Sequence, residues 1–219
     1  MNSPILQLLV LAGIAIFLIL RLKNVLGTRE GFEKPPAQPP SPSRPDRRGF
    51  EVIEGGPDRD IVDHVPEGSE SAKALAQMKQ AEPGFSVAEF LGGARGAYEM
   101  ILMGFERGDI DDIRPFLSPD VADSFESVIQ AREEQGLTVE AEFIGVRELS
   151  LAEASFDPDT RRGEITVRYT GELTFAVRNR DGDIVEGNPK QIKRQRDVWT
   201  YARAMGSDDP NWQLVATGE

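Results

Sequence analysis

The stretch Ile165–Val177, ITVRYTGELTFAV, has the most regular alternation of apolar and polar side chains in the chain. Its apolar residues occupy odd positions, and most even positions hold threonine, arginine or glutamate. A period of two is typical of a β-strand with one buried face and one solvated face. Gly171 lies on the apolar side in mid-strand and predicts a sharp bend there. The stretch therefore predicts a sheet with a single core face.

Other strands are predicted on both sides of this one. The alternation over residues 137–155 predicts a strand with a bulge at Gly145, because the apolar phase changes at that residue. Asp181-Gly182 is a hairpin signal. Two strands are predicted after it, over about Lys190–Ala204 and Trp212–Thr217.

Helices are predicted before the strands. They cover Ser71–Gln80, Ser86–Gly108 and Ser118–Gly136, with a short turn-like helix over Asp109–Phe116. Ser86, with Glu89 three residues later, forms a capping box. Three glycines at positions 92, 93 and 96 predict that another backbone approaches the second helix closely, since each costs up to about 1 kcal/mol relative to alanine. Helices followed by long antiparallel strands predict an α+β domain over residues 71–219, with helices on one face of a curved, cone-like sheet.

The N-terminal stretch Pro4–Leu20, PILQLLVLAGIAIFLIL, contains one polar side chain. It predicts a transmembrane anchor over residues 4–23, close to the length that spans a hydrocarbon core of about 30 Å. Arg21 and Lys23 follow the apolar run, so the positive-inside rule places the rest of the chain in the cytoplasm. A cleaved signal peptide would need positive charge before the run, and a transit peptide would be rich in arginine. A short buried helix would need a neighbouring apolar segment to cover it.

Residues 24–70 are predicted to be a disordered linker. Lys34–Pro45, KPPAQPPSPSRP, favours an extended polyproline spacer, with a PxxP-binding partner as the alternative. Phe50–Ile53 is a possible docking segment, and His64 is expected to be a solvated linker residue. No second histidine and no cysteine is available to share a metal ion with His64, so we expect no metal ion and no cofactor.

Charge and composition exclude several classes of function. The net charge is −12, and residues 51–160 carry 25 Asp or Glu against eight Lys or Arg. Such an acidic section argues against nucleic-acid binding, which needs a surplus of cations. The absence of cysteine excludes disulfides and thiol chemistry. No phosphate-binding loop and no nucleophile elbow is present in the sequence.

Four separate blocks of the sequence resemble a known family. The blocks are FSVAEFLGGARGAYEMILMGFERG at 85–108, FLSPDVADSF at 116–125, DVWTYA at 197–202 and DPNWQLVAT at 209–217. They resemble the bacterial Tim44-like proteins, as does the order of anchor, proline-rich linker and C-terminal domain. The resemblance implies an NTF2-like fold. It also implies a membrane-proximal adaptor, since the family's eukaryotic relative recruits an Hsp70 motor to a protein translocase.

Two sets of residues are candidates for a site. Tyr169, Phe175, Trp199 and Tyr201 are expected to line the cavity of the fold, and Asp197 is the one acid beside them. We expect Asp197 to lie on the outer sheet face or at a strand end, and we therefore expect no enzyme. The second set is a basic cluster at one end of the sheet, predicted to bind anionic lipid or an acidic partner: Arg178, Arg180, Lys190, Lys193, Arg194 and Arg196.

These observations favour a membrane-anchored adaptor for protein translocation or membrane-protein assembly. Its expected partners are the membrane and proteins of the translocation, assembly or chaperone type. Two alternatives stay open: a module that binds anionic lipid, and an enzyme that uses the cavity of an NTF2-like fold.

Overall fold

The computed structural model describes residues 57–218. The predicted anchor and the proline-rich part of the linker lie outside these residues. In chain order the elements are α1 (Arg59–Val62), α2 (Glu70–Ala81), α3 (Val87–Arg107), α4 (Ile110–Ile113), a 3-10 turn (Arg114–Phe116), α5 (Pro119–Glu134), β1 (Thr138–Asp157), β2 (Arg162–Arg178), β3 (Ile184–Ala204) and β4 (Gln213–Gly218). Among these residues no helix is both long and apolar enough to cross a bilayer.

The four strands form one antiparallel sheet in the order β1-β2-β3-β4. The odd-numbered apolar residues of β2 are buried or half-buried, as the alternation predicts. Three of them, Ile165, Val167 and Tyr169, belong to one core cluster with buried residues of α2 and α3. Helices on one face of an antiparallel sheet confirm the α+β class and are consistent with an NTF2-like fold. The strand β3 begins at Ile184, six residues earlier than predicted, because it continues the hairpin with β2 directly after the turn.

The glycines of the sheet have distinct roles. The β1–β2 register shifts between Phe143 and Gly145, which confirms the predicted bulge. Gly171 lies opposite Val146, and a Cβ placed on it would come within 2.7 Å of the Tyr98 hydroxyl oxygen. Gly171 therefore makes room for a helix side chain against the middle of the sheet.

Helix α3 begins and ends as the sequence predicts. The Ser86 hydroxyl accepts a hydrogen bond from the Glu89 backbone N–H, and Gly108 ends the helix in a left-handed conformation with φ of 80°. The prediction for the three glycines inside α3 is wrong. Gly92, Gly93 and Gly96 are exposed, and no atom from another part of the described chain lies within 4 Å of a Cβ placed on any of them.

The linker predicted to end at residue 70 is corrected at its C-terminal end. Ile61 and Val65 are buried in the same core as α2 and α3. The Asp60 carboxylate accepts hydrogen bonds from the backbone N–H groups of Val87 (2.8 Å) and Ala88 (2.9 Å), so it caps the N-terminus of α3. The folded domain thus includes residues 57–70, which low apolar periodicity had assigned to the linker.

Candidate functional site

An apolar groove of about 340 Å³ lies between the N-terminal half of α3 and the loop that joins β3 to β4. Its apolar lining comes from five segments: the α2–α3 turn, α3, the 3-10 turn, β3 and the β3–β4 loop. The aromatic members of the lining are Phe85, Phe90, Phe116, Tyr201 and Trp212. The groove thus has aromatic walls and opens beside the capped end of α3.

Trp212 is the centre of this aromatic lining. Its ring centroid lies 4.7 Å from that of Phe90, with an interplanar angle of 62°, and 6.0 Å from that of Phe85. Edge-to-face contacts of this kind hold aromatic rings in fixed positions. Trp212 is nevertheless only half-buried, so part of its apolar surface remains available inside the groove.

One ion pair marks the polar end of the groove. The Arg203 guanidinium donates to Glu82 at 2.6 Å and lies 5.3 Å from the centre of the Trp212 ring. The other Glu82 oxygen accepts from the Gly206 backbone N–H at 2.7 Å. Partial burial on its own raises the pKa of Glu82, but these two hydrogen bonds outweigh it and hold the pKa below its ordinary value.

The Arg203 side chain is 8% exposed, and its Nε is buried without a hydrogen-bond partner in the described part of the chain. Burying a guanidinium is costly unless its surroundings hold a fixed partner that pairs with the charge. Glu82 on one side and Trp212 on the other provide that fixed environment. The groove therefore combines aromatic walls with a rigid, neutralised ion pair and one exposed acid at its rim, Glu89.

A second polar feature lies between α3 and the middle of the sheet. Asp197 faces inward, so the expectation that it lies on the outer face is wrong. Its Oδ2 accepts from the Tyr98 hydroxyl at 2.5 Å and from the Gln195 amide at 2.8 Å. It shares the inner face of β3 with Trp199 and Tyr201 because all three occupy odd positions.

Three tyrosines form a linked group, and one of them, Tyr98, contacts this carboxylate. The Tyr98 and Tyr169 rings stack with centroids 4.3 Å apart, and the Tyr169 hydroxyl lies 2.9 Å from that of Tyr201. Burial raises the pKa of all three tyrosines, and the Asp197 carboxylate raises that of Tyr98 further. All three phenols stay protonated at neutral pH, and Tyr98 is held as a donor to Asp197.

Comparisons with known proteins identify the family. The family model for the Tim44-like domain matches residues 71–219. The chain belongs to the Tim44-like family. Its relatives include the mitochondrial import inner membrane translocase subunits TIM44-1 of Arabidopsis thaliana, at 19% identity over 162 residues, and TIM44 of Homo sapiens, at 21% over 160 residues. Each match covers 71% of this chain, but the chain spans only about a third of either relative (34% and 35%).

Among solved structures, the intermembrane space region of the chloroplast protein ARC6 matches with a TM-score of 0.34 and 12% identity. The match covers 50% of this chain and 75% of that one.

The residues expected to line the cavity of the Tim44-like domain occupy three different places. Tyr201 lines the aromatic groove, whereas Tyr169 and Trp199 are buried in the core around Tyr98. Phe175 lies at the far end of the sheet, beneath the Lys193 ammonium group at 5.0 Å. Alternation placed all four on the inner face, but only the packing of α3 decides which of them contact an open space.

The predicted basic cluster is divided in the folded Tim44-like domain. Arg178 forms a two-point ion pair with Glu140 at 2.8 and 3.1 Å. Arg194 shares one Glu172 oxygen with Arg147, at 3.0 and 3.1 Å respectively. The remaining members are dispersed: Arg180 donates to the Glu134 carbonyl at the end of α5, Lys193 lies over Phe175, and Lys190 and Arg196 are exposed.

Sequence reasoning missed most of the groove. Glu82, Phe85 and Arg203 had no signal beyond their positions near the ends of predicted elements. Phe90 and Tyr98 were correctly placed on the apolar face of α3, but the sequence does not say that one lines a groove and the other meets a carboxylate. Within residues 57–218 no group of three or more His, Asp or Glu side chains has the spacing of a metal site.

Proposed function

We propose that this protein is a membrane-anchored adaptor whose Tim44-like domain holds an apolar segment of a partner protein during translocation or membrane-protein assembly. The observation that carries the proposal is the aromatic groove around Trp212 in a domain of this family. The Tim44 relatives named above are subunits of a mitochondrial import translocase, which supports a role in protein transport.

The groove fits an apolar side chain better than a polar ligand. Phe90 and Trp212 form a rigid wall, and the Arg203–Glu82 pair adds no net charge. Burying one large apolar side chain there would contribute about 1.5–3 kcal/mol. That magnitude suits a transient partner that is captured and then released.

The proposal includes the location inferred from the sequence. The N-terminal segment anchors the protein in a bacterial inner membrane, and the domain works on the cytoplasmic side. A reporter fused after Glu219 tests this: protease added to the periplasmic side of spheroplasts leaves the reporter intact. Cleavage of the reporter before lysis would place the domain on the other side.

Crosslinking in intact membranes tests the adaptor role. A photoreactive amino acid at Phe116, in the groove, is compared with the same residue at Thr174, on the opposite sheet face. We expect a protein adduct only from position 116, identified as a translocase, insertase or chaperone component, and lost in Trp212→Ala. Equal adducts from both positions, or adducts with phospholipid alone, would contradict the adaptor role.

A binding role is favoured over catalysis. Asp197 faces inward, as an enzyme that uses the cavity of this fold would require. This observation is the one that favours the alternative of a cavity enzyme. Its Oδ2 is, however, occupied by Tyr98 and Gln195, and Tyr98 is fully buried. We therefore assign this network to positioning α3 against the sheet.

The lipid-binding alternative loses its main support when the basic cluster is divided. Arg178 is paired with Glu140, and Arg194 shares Glu172 with Arg147, so the six cations do not form a continuous patch. The crosslinking experiment also tests this alternative, because a lipid-binding module would give phospholipid adducts in place of protein adducts.

A further inference from the structure

The strand β3 has an open edge over the middle of its length. On one side it pairs with β2 from Ile184 to Ala204, but on the other side β4 pairs only with Val198–Ala202. Within residues 57–218 no other strand or bridge pairs with this side of β3. An unpaired strand edge presents a row of backbone N–H and C=O groups to which an extended chain can add.

The usable part of this edge is Ile192–Asp197. Residues 189–191 of β3 have no partner on β2 and form a bulge, because the β2–β3 register shifts between Thr174 and Phe175. Pro189 in this bulge also has no backbone N–H to donate. From Ile192 to Asp197 the pairing with β2 is continuous. In an antiparallel ladder, alternate residues of such a stretch direct their hydrogen-bonding groups to the outer side.

The side chains along this stretch are cationic. Lys193, Arg194 and Arg196 are three of four consecutive residues, and all are exposed. Among the described residues no carboxylate lies within 4 Å of the charged groups of Lys193 or Arg196, and Arg194 shares its partner Glu172 with Arg147. This charge contrasts with the acidic section of residues 51–160.

An apolar side chain adjoins the charges. Ile192 is 56% exposed, and it lines an open depression on the sheet that also includes Phe175 and Lys193. An added strand would place alternate side chains on the two faces of the sheet. One set would meet Arg194 and Arg196, and the other would meet Lys193 beside the depression.

We propose that the β3 edge at Ile192–Asp197 is a docking site for an extended, acidic segment of a partner protein, which adds to the sheet as a strand. Backbone hydrogen bonds supply the pairing, and the cations select acidic side chains. This surface is separate from the aromatic groove, so the proposal does not depend on what the groove binds.

The test uses the full 219-residue chain in detergent micelles and a fluorescent peptide that alternates valine and glutamate over about eight residues. We expect saturable binding by fluorescence anisotropy, weaker at high salt, and slowed amide hydrogen exchange at residues 192–197. A peptide with alternate amides N-methylated has the same charge but lacks donors on one side, and we expect it not to bind. A peptide with lysine in place of glutamate is also expected not to bind.

A pair of charge reversals provides the matched control. Arg196→Glu is expected to weaken binding at least about fivefold, since it replaces one attraction by a repulsion at the docking edge. Arg59→Glu makes the same change in charge in α1, at an exposed residue beside the capped N-terminus of α3, and is expected to change binding less than about twofold.

Four results would overturn the proposal. Equal binding of the N-methylated peptide would show that charge alone attracts the peptide, without strand pairing. Equal weakening of peptide binding by both charge reversals would show that the overall electrostatic field of the protein attracts the peptide, and not the edge itself. No binding at millimolar peptide would show that the cations only prevent self-pairing of the edge. Binding to anionic vesicles that is lost in Arg196→Glu, without peptide binding, would assign the edge to the membrane instead.

Discussion

Asp60→Asn is expected to lower the free energy of unfolding by about 1–2 kcal/mol at pH 7. Partial burial on its own raises the pKa of Asp60, but hydrogen bonds from Lys79, the Ala88 and Val87 N–H groups and Ser86 lower it to about 2, against an ordinary value of 3.8. That gap corresponds to about 2 kcal/mol, since one pKa unit is worth about 1.4 kcal/mol. The Asp60 side chain is 22% exposed, so solvent screening reduces this figure.

The pH dependence follows from the depressed pKa. The contribution of Asp60 is fully present above pH 3.8, where the carboxylate is ionised in both the folded and the unfolded chain, and is lost as the pH falls towards 2. We therefore expect the wild type to have a higher free energy of unfolding than Asp60→Asn at pH 7, and we expect this difference to largely disappear near pH 2. Urea unfolding of the full chain in micelles, followed by the fluorescence of Trp199 and Trp212, measures it.

Asp63→Asn is the matched control. Asp63 is exposed, lies three residues away and makes no side-chain hydrogen bond or ion pair with the described residues, so its replacement is expected to change stability by less than about 0.5 kcal/mol. A loss of the same size in both variants, or a loss for Asp60→Asn that is unchanged near pH 2, would refute the assignment of Asp60 as a charged helix cap.

Three further substitutions test the packing of α3. Gly171→Ala is expected to cost about 1–3 kcal/mol, because the new Cβ meets the hydroxyl of Tyr98, which is fully buried and cannot move away. Gly93→Ala should instead stabilise the protein by up to about 1 kcal/mol, since the site is open and alanine is the better helix former. Tyr98→Phe should cost about 1–3 kcal/mol by removing a donor to Asp197.

Urea unfolding, followed by tryptophan fluorescence, measures the change in stability of all three variants. A neutral Gly171→Ala would mean that Tyr98 is not held against the sheet as described. A destabilising Gly93→Ala would indicate a close neighbour on that face of α3. An unchanged stability for Tyr98→Phe would show that Gln195 alone satisfies the Asp197 carboxylate.

Most helices and strands of this domain could be predicted from the sequence, and the exception is α1, whose residues were assigned to the linker. Local signals are sufficient where the cause is local: the hydroxyl of Ser86 and the conformational freedom of Gly108 set the ends of α3, and a period of two assigned Tyr169 and Phe175 to the inner face of the sheet. These effects act over a few residues, so they are visible in the order of the residues alone.

The contacts between these elements became visible only in the folded domain. The hydrogen bonds of Asp60 to α3, of Tyr98 to Asp197 and of Arg203 to Glu82 each join residues 27 to 121 positions apart. The order of the residues fixes no distance for such pairs, because the chain path between them depends on the packing of every element. For the same reason the basic residues near the β2–β3 turn were predicted as one cluster, although neighbouring carboxylates divide them in the fold.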